Sequence, residues 1–177
     1  MFISRAIQFN TEGPSRGLEF VTRKITSAAA RIAAGLQDRL ELGNVHAYRD
    51  WTDARDMVRA HLLMLQQDTP DTFVLASGKA RSVKDFCNIA FESISPMLKL
   101  VWEGEGIDEV AKIKATGRTV ISINHNFYRP AEVNFLMGDA SKAKKVLGWE
   151  PEISFSQMVQ DMVKNDMKLA KQEKGIK

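Results

Sequence analysis

Two hydrophobic patterns alternate along the chain. Short apolar runs typical of β-strands are followed by segments whose apolar residues recur every three or four positions, as on one face of a helix. Alternation of strands with helices predicts an α/β fold with short strands. Strands are predicted for residues 2–9, 39–42, 72–76, 98–102 and 119–123.

The segments between these elements are predicted to lie outside the regular structure. Residues 10–17 form a turn-rich loop, and a second loop covers residues 45–51. Residues 103–117 are charged and loosely patterned, and we interpret them as an insertion that does not contribute to the core.

The first helix is predicted for residues 18–34, and Gly35 is suited to end it because glycine readily adopts the left-handed conformation found at helix ends. Its apolar residues are spaced by four, three and four positions and form one stripe: Val21, Ile25, Ala28 and Ile32.

The second helix is predicted to begin after Thr52 or Asp53, since either side chain can cap the first backbone amides. Helical spacing assigns it a buried stripe that consists of Ala54, Val58, Leu62 and Leu65.

Three further helices are marked by their ends. Ser82 with Asp85 resembles a capping box, and Ser154 with Gln157 resembles another. A short helix over residues 142–147, followed by a glycine, lies between them.

Composition indicates a globular protein. Hydrophobic residues make up 44% of the chain and charged residues 27%, so a packed core is expected rather than disorder. The formal net charge of +3 fits a phosphorylated ligand and equally well a solvated basic surface. Aromatic residues are not interleaved with the cations as they are in stacking platforms, so we expect no binding to nucleic acid.

The compartment is expected to be cytoplasmic. Cys87 is the single cysteine, which excludes an internal disulfide and fits a reducing environment. It lies in an apolar segment without activating neighbours, so we interpret it as a packing residue. No apolar run reaches the ~18 residues of a membrane span, and no signal peptide is recognisable at the N-terminus.

The chain contains no recognisable catalytic or metal-binding motif. Its histidines lie far apart, without the paired spacing of metal ligands. A Tyr-x-x-x-Lys pair is absent, because Tyr48 leads to Thr52 and Tyr128 leads to Glu132. A glycine-rich turn for a dinucleotide is also absent. We therefore expect no catalytic residue and no metal ligand.

Ligand binding is better supported, because cations occur beside small or polar residues in several loops. These cations are Arg16 with Lys24, Arg49 and Arg129. An arginine fork matches two phosphate oxygens at once, and Glu132 can accept hydrogen bonds from sugar hydroxyls. The alternative is that the arginines pair with nearby carboxylates such as Asp50 and Glu132.

Longer segments carry a more specific signal. Phe20-Val-Thr-Arg-Lys24 and Val101-Trp-Glu-Gly104 are the most particular, and Leu147-Gly-Trp-x-Pro151 recurs in extended short-chain dehydrogenases/reductases that act on nucleotide sugars. With Arg49-Asp-Trp51 and Arg129-Pro-x-Glu132, these segments run in order along nearly the whole chain. Together they resemble GDP-mannose 4,6-dehydratase.

The resemblance covers the C-terminal half of that family. Its enzymes begin with an NADP-binding Rossmann domain that holds the glycine-rich turn and the catalytic Tyr-x-x-x-Lys, which would lie upstream of Met1. They convert GDP-mannose to GDP-4-keto-6-deoxymannose, a step towards GDP-fucose. Residues 1–177 would be a single substrate-binding lobe without the Rossmann core. Within it, residues 1–17 would be a remnant of the Rossmann sheet with a binding loop, and residues 18–177 the nucleotide-sugar-binding α/β part.

The resemblance also assigns roles to individual residues. Asn10 would face the sugar and the diphosphate, and Glu132 would hold the ribose hydroxyls. Arg16 would reach the NADP cofactor. The residues expected to hold phosphates are Lys24, Arg49 and Arg129.

The chain departs from the family at several positions. Thr11 replaces the usual histidine, and Ser15 replaces an arginine. Tyr48 stands where a basic residue is usual, and Thr52-Asp53 replaces Gly-His. We expect the changes at Thr11 and Ser15 to weaken features on the cofactor side and at subunit contacts.

The sequence thus predicts a lobe that binds GDP-mannose or a related GDP-sugar and is inactive alone. A Rossmann half supplied in trans and a homo-oligomer are the expected partners, since bare apolar surface usually finds a partner. The alternative is a non-catalytic nucleotide-sugar sensor or assembly partner.

Overall fold

The computed structural model describes residues 1–128 and 131–175, and this part of the chain contains nine strands and five α-helices. The strands are β1 (Arg5–Gln8), β2 (Asn10–Glu12), β3 (Leu40–Leu42), β4 (Tyr48–Asp53), β5 (Thr72–Leu75), β6 (Ala80–Ser82), β7 (Leu100–Glu103), β8 (Val110–Ile113) and β9 (Thr119–Ile123). The helices are α1 (Val21–Ala33), α2 (Ala54–Leu65), α3 (Val83–Ile94), α4 (Ser141–Leu147) and α5 (Phe155–Glu173). The predicted α/β class is confirmed.

The strands form three small sheets. β1 pairs in parallel with β5, and β2 pairs in parallel with β4, which also holds the antiparallel β6. The third sheet has the order β3-β9-β8-β7. Because the β2–β4 register places Asn10 opposite Trp51, two segments that carry predicted ligand residues lie side by side.

The larger of two hydrophobic cores lies between the four-stranded sheet and helices α1, α3 and α5. Ile25, Phe86, Phe91 and Met162 are each fully buried in it. Trp51 joins this core through its ring, which stacks on Phe155 with the two planes 10° apart. Strand β4 is thereby packed against the start of α5.

The smaller core lies between β5, α2 and α4. Trp149 is fully buried there, and its indole Nε1 donates to the backbone oxygen of Asp56 over 2.9 Å. The Asp56 carboxylate accepts from the backbone amides of Glu152 and Ile153. The segment between α4 and α5 is therefore tied to α2 by hydrogen bonds as well as by apolar contact.

The predicted helix ends are largely confirmed. Asp53 caps α2, and Ser82 with Asp85 forms a reciprocal capping box at α3. Ser154 caps α5, but the Gln157 side chain donates to Asp161 instead of completing a second box. None of the helices in the described ranges combines enough length with enough apolar character to cross a membrane.

The predicted buried stripe of α2 is wrong. Val58, Leu62 and Leu65 are 67%, 57% and 66% exposed. Met57 and Met64 face the smaller core instead. Apolar residues surround most of this helix, so helical spacing fits two stripes, and only contact with the core selects between them. In α1 the predicted buried stripe is confirmed except for its first residue, Val21, which is exposed.

Three predicted loops are also corrected. Residues 10–12 and 48–53 are strands β2 and β4, in which buried polar side chains find partners that a sequence pattern does not reveal. Residues 103–117 are not an insertion, because they contain β8, whose Ala111 and Ile113 are buried in the larger core. The strand has only four residues, too few for its alternation to stand out.

A buried ion pair joins α1 to α5. The Arg23 guanidinium donates through Nε to Asp166 over 2.8 Å, and Thr26 Oγ1 donates to the same carboxylate over 2.6 Å. Arg23 Nη1 also donates to the backbone oxygens of Pro14 and Arg16. The loop before α1 is thus anchored to α5 through one arginine.

We expect Asp166→Ala to lower the free energy of unfolding by about 3–5 kcal/mol, because it leaves the buried charge of Arg23 unpaired. Asp161→Ala on the same helix removes the ion pair with Arg55, whose side chain is 58% exposed, and should cost about 1 kcal/mol or less. Urea unfolding measures both variants. Equal losses would contradict the assignment of Arg23 and Asp166 as a buried structural pair.

Candidate functional site

The segment that leaves β1 forms one wall of an open cavity of about 550 Å³. Two of the predicted ligand residues, Asn10 and Arg16, line it. The structure therefore brings together the residues expected on the sugar side and on the cofactor side. Their neighbours in the cavity wall are Ile7, Gln8, Phe9, Thr11 and Leu136.

The Arg16 guanidinium contacts the aromatic ring of Phe20 and the carboxylate of Glu12. Its guanidinium carbon lies 3.4 Å from the centre of the Phe20 ring, and its Nε lies 3.3 Å from Glu12 Oε2. Nε is nevertheless buried, and the Nε–H donor of Arg16 lacks a well-aligned acceptor among the described residues.

Glu12, only 2% exposed, supports Arg16 from behind. Its Oε2 accepts from Thr22 Oγ1 over 2.6 Å, which connects β2 to the first turn of α1. Burial raises the pKa of Glu12, and the Thr22 hydrogen bond and the charge of Arg16 only partly offset that effect. Sequence reasoning did not single out Glu12, although its place four residues before Arg16 was a usable signal.

Lys24 lies in a second open cavity, of about 760 Å³, between α1 and β3. Its ammonium is 3.8 Å from the centre of the Phe127 ring. Burial lowers the pKa of Lys24, and the nearby charge of Glu41 only partly restores it. Within the described ranges Lys24 forms no salt bridge, so Glu41 acts on this partly desolvated cation only from beyond salt-bridge distance.

Other charged groups surround this cavity. Arg39 and Glu41 line it beside β3, and Arg31 lines it from α1 while pairing with Glu173 near the C-terminal end of α5. Phe127, which sequence reasoning did not predict as a site residue, offers a 47% exposed ring. The cavity thus combines cations with an aromatic face, as a site for a nucleotide does.

Arg49 and Glu132 are brought together, but they bind one another. Arg49 Nη2 donates to Glu132 Oε1 over 2.7 Å, and Nη1 donates to the backbone oxygen of Val133. For this pair the structure confirms the alternative that the sequence left open, in which the arginine pairs with a nearby carboxylate. Arg129 lies outside the described residues, so its role remains a prediction.

Asp50, in contrast, does not pair with an arginine. Its fully buried carboxylate accepts from the backbone amides of Ser77, Gly78 and Gly138, and from the Ser77 hydroxyl. Gly138 comes so close that an added Cβ would lie 2.3 Å from the Cβ of Ala76. Asp50, which follows Arg49 in β4, therefore holds the loops that contain Ser77 and Gly138 against this strand.

Comparison with known proteins shows the family of the chain. The model of the GDP-mannose 4,6 dehydratase family matches residues 1–162. The chain belongs to this family. It is 49% identical over 169 residues to GDP-mannose 4,6 dehydratase 2 of Caenorhabditis elegans, a match that covers 96% of the chain and 44% of that relative.

Relatives from other organisms agree with this assignment. GDP-mannose 4,6-dehydratase of Yersinia enterocolitica is 43% identical over 187 residues, covering 100% of the chain and 50% of the relative. The human GDP-mannose 4,6 dehydratase is 43% identical over 169 residues, covering 96% and 45%. The chain therefore spans about half the length of these relatives.

Solved structures show the same fold. RMD from Pseudomonas aeruginosa, solved with NADPH, has a TM-score of 0.71 at 23% identity, covering 93% of this chain and 48% of that one. UDP-glucose 4-epimerase from Thermotoga maritima, solved with UDP-glucose, has a TM-score of 0.68 at 21% identity, covering 93% and 45%. The chain has the α/β fold of short-chain dehydrogenase/epimerase proteins and matches about half of each structure.

We expect Glu12 to make the protein less stable as the pH rises. Its pKa in the folded protein lies above the ordinary value of 4.5, so the folded protein binds this proton more tightly than the unfolded chain does. Its stabilising contribution is present below that value and is lost as the pH rises through the raised pKa. Glu12→Gln should abolish this part of the pH dependence.

The measurement is urea unfolding of wild type and Glu12→Gln over a series of pH values, with the Glu12 carboxyl followed by carbon NMR. Relative to the variant, the wild type should lose stability as the pH rises above about 4.5. A difference that is constant, or that grows in favour of the wild type, would show that the carboxylate is not penalised by burial.

Proposed function

We propose that this chain is a nucleotide-sugar-binding lobe of the GDP-mannose 4,6-dehydratase type, which binds GDP-mannose or a related GDP-sugar and does not turn it over alone. The observation that carries the proposal is Lys24, a partly desolvated cation that lines a cavity beside the Phe127 ring. Family membership over residues 1–162 supports the identity of the ligand.

Lys24 would hold a phosphate of the ligand. Its ammonium is partly buried and forms no ion pair within the described ranges, so an incoming diphosphate would supply the missing negative charge. Lys24 is the fourth residue of α1, and Ser27, Ala28 and Arg31 line the cavity from later turns of the same helix. The cavity volume of about 760 Å³ falls in the range of small-molecule sites.

Arg49 and Glu132 would change partners when the ligand binds. A guanidinium exchanges a carboxylate for a phosphate at little electrostatic cost, because both acceptors offer two oxygens to the same fork. Glu132, released from Arg49, would then accept hydrogen bonds from the ribose hydroxyls. Arg129, three residues before Glu132, is proposed as a further phosphate ligand.

Asn10 and Arg16 would meet the sugar and the cofactor in the neighbouring cavity. The Arg16 side chain, 26% exposed and part of the cavity wall, would reach an anionic group of NADP. None of the described glycines with positive φ lies in a turn from a strand into an α-helix. NADP would therefore be held chiefly by groups of the Rossmann half, which would also supply the hydride chemistry.

We expect Lys24→Ala to weaken binding of GDP-mannose by about 10- to 100-fold, the effect of one charge-assisted hydrogen bond. Isothermal titration calorimetry with GDP-mannose, GDP and UDP-glucose measures it. Tight binding should be confined to the two guanosine ligands. Lys145→Ala, a matched change of an exposed lysine on α4, should leave the affinity within about twofold.

Binding of none of the three ligands would refute the proposed function. Turnover of GDP-mannose by this chain with added NADP would refute the part of the proposal that makes it inactive alone. An added Rossmann half from a relative separates the remaining possibilities, since restored turnover supports a catalytic lobe. Binding that is never followed by turnover, even with that half, supports a sensor.

A homo-oligomer is the second part of the proposal. Val58, Leu62 and Leu65 form an exposed apolar stripe along α2, and Ile7 on the neighbouring strand β1 is 54% exposed. A contiguous exposed apolar surface of this kind marks a protein interaction site. We propose that this stripe packs against a second copy of the chain when no Rossmann half covers it.

We expect light scattering at micromolar concentration to give a mass above the 19.9 kDa of one chain. Leu62→Glu should return the mass to that of a monomer, because burying an unpaired carboxylate costs more than the contact gains. Val146→Glu, an exposed apolar residue on α4, is the control and should leave the mass unchanged. A monomeric wild type would contradict the proposal.

A further inference from the structure

A third cavity lies away from the candidate site, between strands β4 and β6 and the start of α5. Its volume is about 700 Å³, within the range of small-molecule sites. One side is apolar, formed by Trp51, Ile89, Pro151, Ile153 and Phe155. The opposite side is polar, and four separate features there point to an anion.

The first feature is a pair of uncommitted cations. Lys79 and Arg81 line the cavity, two residues apart along the chain, and the second lies in β6. Neither forms a salt bridge within residues 1–128 and 131–175. The Arg81 guanidinium lies 5.9 Å from the centre of the Phe155 ring, at the edge of cation–π range, so its fork remains available.

The second feature concerns the carboxylates of the same cavity, which already have other partners. Glu150 pairs with Lys144 over 2.6 Å, and Glu152 pairs with Arg59 over 2.9 Å. Asp85 accepts from the Ser82 backbone amide in the capping box of α3. The charge of Lys79 helps to lower the pKa of Glu150, after the larger effect of Lys144, but within the described residues neither Lys79 nor Arg81 lies within salt-bridge distance of these acids.

The third feature is the N-terminus of α5, a helix of 19 residues. The Ser154 hydroxyl accepts from the Gln157 amide, while the amides of Phe155 and Ser156 make no hydrogen bond within the described chain. All three of Ser154, Phe155 and Ser156 line the cavity. Such amides, with the helix dipole behind them, favour a phosphate oxygen.

The fourth feature is Thr52, which lines the cavity although only 2% of the residue is exposed. Its Oγ1 is buried and has no hydrogen-bond partner in the described part of the structure. Buried hydroxyls are almost always paired, so an unpaired one beside a cavity indicates a missing partner.

We propose that this cavity is a second ligand site, which binds the phosphate group of a small phosphorylated metabolite. Lys79 and Arg81 hold the phosphate against the first amides of α5, and the Thr52 hydroxyl donates to it or to the group it is attached to. Asn88, whose Oδ1 already accepts from Trp102, offers its amide nitrogen as a further donor. The apolar side formed by Trp51 and Phe155 receives the rest of the molecule.

The test is a titration of the full chain with inorganic phosphate, followed by amide NMR at constant ionic strength. The amides of Phe155 and Ser156 should shift and saturate. Lys79→Gln/Arg81→Gln should weaken the apparent affinity by at least about tenfold, the effect of losing charge-assisted hydrogen bonds. Lys168→Gln, which removes a charge farther along α5, and Lys24→Ala should each leave it within about twofold.

Thr52→Val provides a second test that does not remove a charge. If the hydroxyl serves the ligand, this variant should be at least as resistant to urea as the wild type and yet bind phosphate several-fold more weakly. The proposal is overturned if Phe155 and Ser156 do not shift, if chloride shifts them equally, or if Lys168→Gln weakens binding as much as the double variant. Loss of phosphate binding in Lys24→Ala would assign the anion to the candidate site instead.

Discussion

The buried carboxylate of Asp50 is the constraint that fixes strand β4, which carries Arg49 and Trp51, against its surroundings. It gathers three backbone amides from two separate loops onto the middle of β4. Arg49 of the candidate site precedes it and Trp51 of the third cavity follows it, so this anchor is flanked by one residue from each. Without it, the amides would be left unpaired in the interior, and each such group is expensive to bury.

Polar contacts of this kind also position the segments around the two hydrophobic cores. Asp56 secures the chain between α4 and α5, and Arg23 with Asp166 secures the loop before α1. The cores themselves can be filled by many combinations of apolar residues, but a carboxylate with several defined donors permits one arrangement. The loops that carry ligand residues are therefore positioned by buried charges, while the apolar residues supply the bulk of the stability.

The sequence predicted the regular elements well where each was long or ended in a recognisable cap. Ser82, Asp53 and Gly148 mark helix ends by local chemistry, which the rest of the fold does not override. The buried face of α2 was missed because its apolar residues fit two stripes. Strand β2 was missed because Glu12 is polar and buried only through Thr22, a partner that no spacing rule identifies.

The same distinction applies to the site. Residue types alone suggested that the cations would bind a phosphorylated ligand. The resemblance then assigned a role to each residue. Their present partners, such as Glu132 for Arg49 and the Phe127 ring for Lys24, depend on distant segments that meet only in the folded chain. Pairing preferences between such groups are nearly equal in energy, so the sequence leaves them open.

The parallel pairing of β1 with β5 has a kinetic consequence. Arg5 lies opposite Thr72, so the long segment between them must be closed into a loop before this sheet can form. Contacts between positions so far apart form late, because closing the intervening loop costs conformational entropy before any stabilising contact is made. Until then neither edge of β1 is paired, so the strand is open to pairing with other chains. Dilution and slow synthesis should therefore favour the native sheet over aggregation.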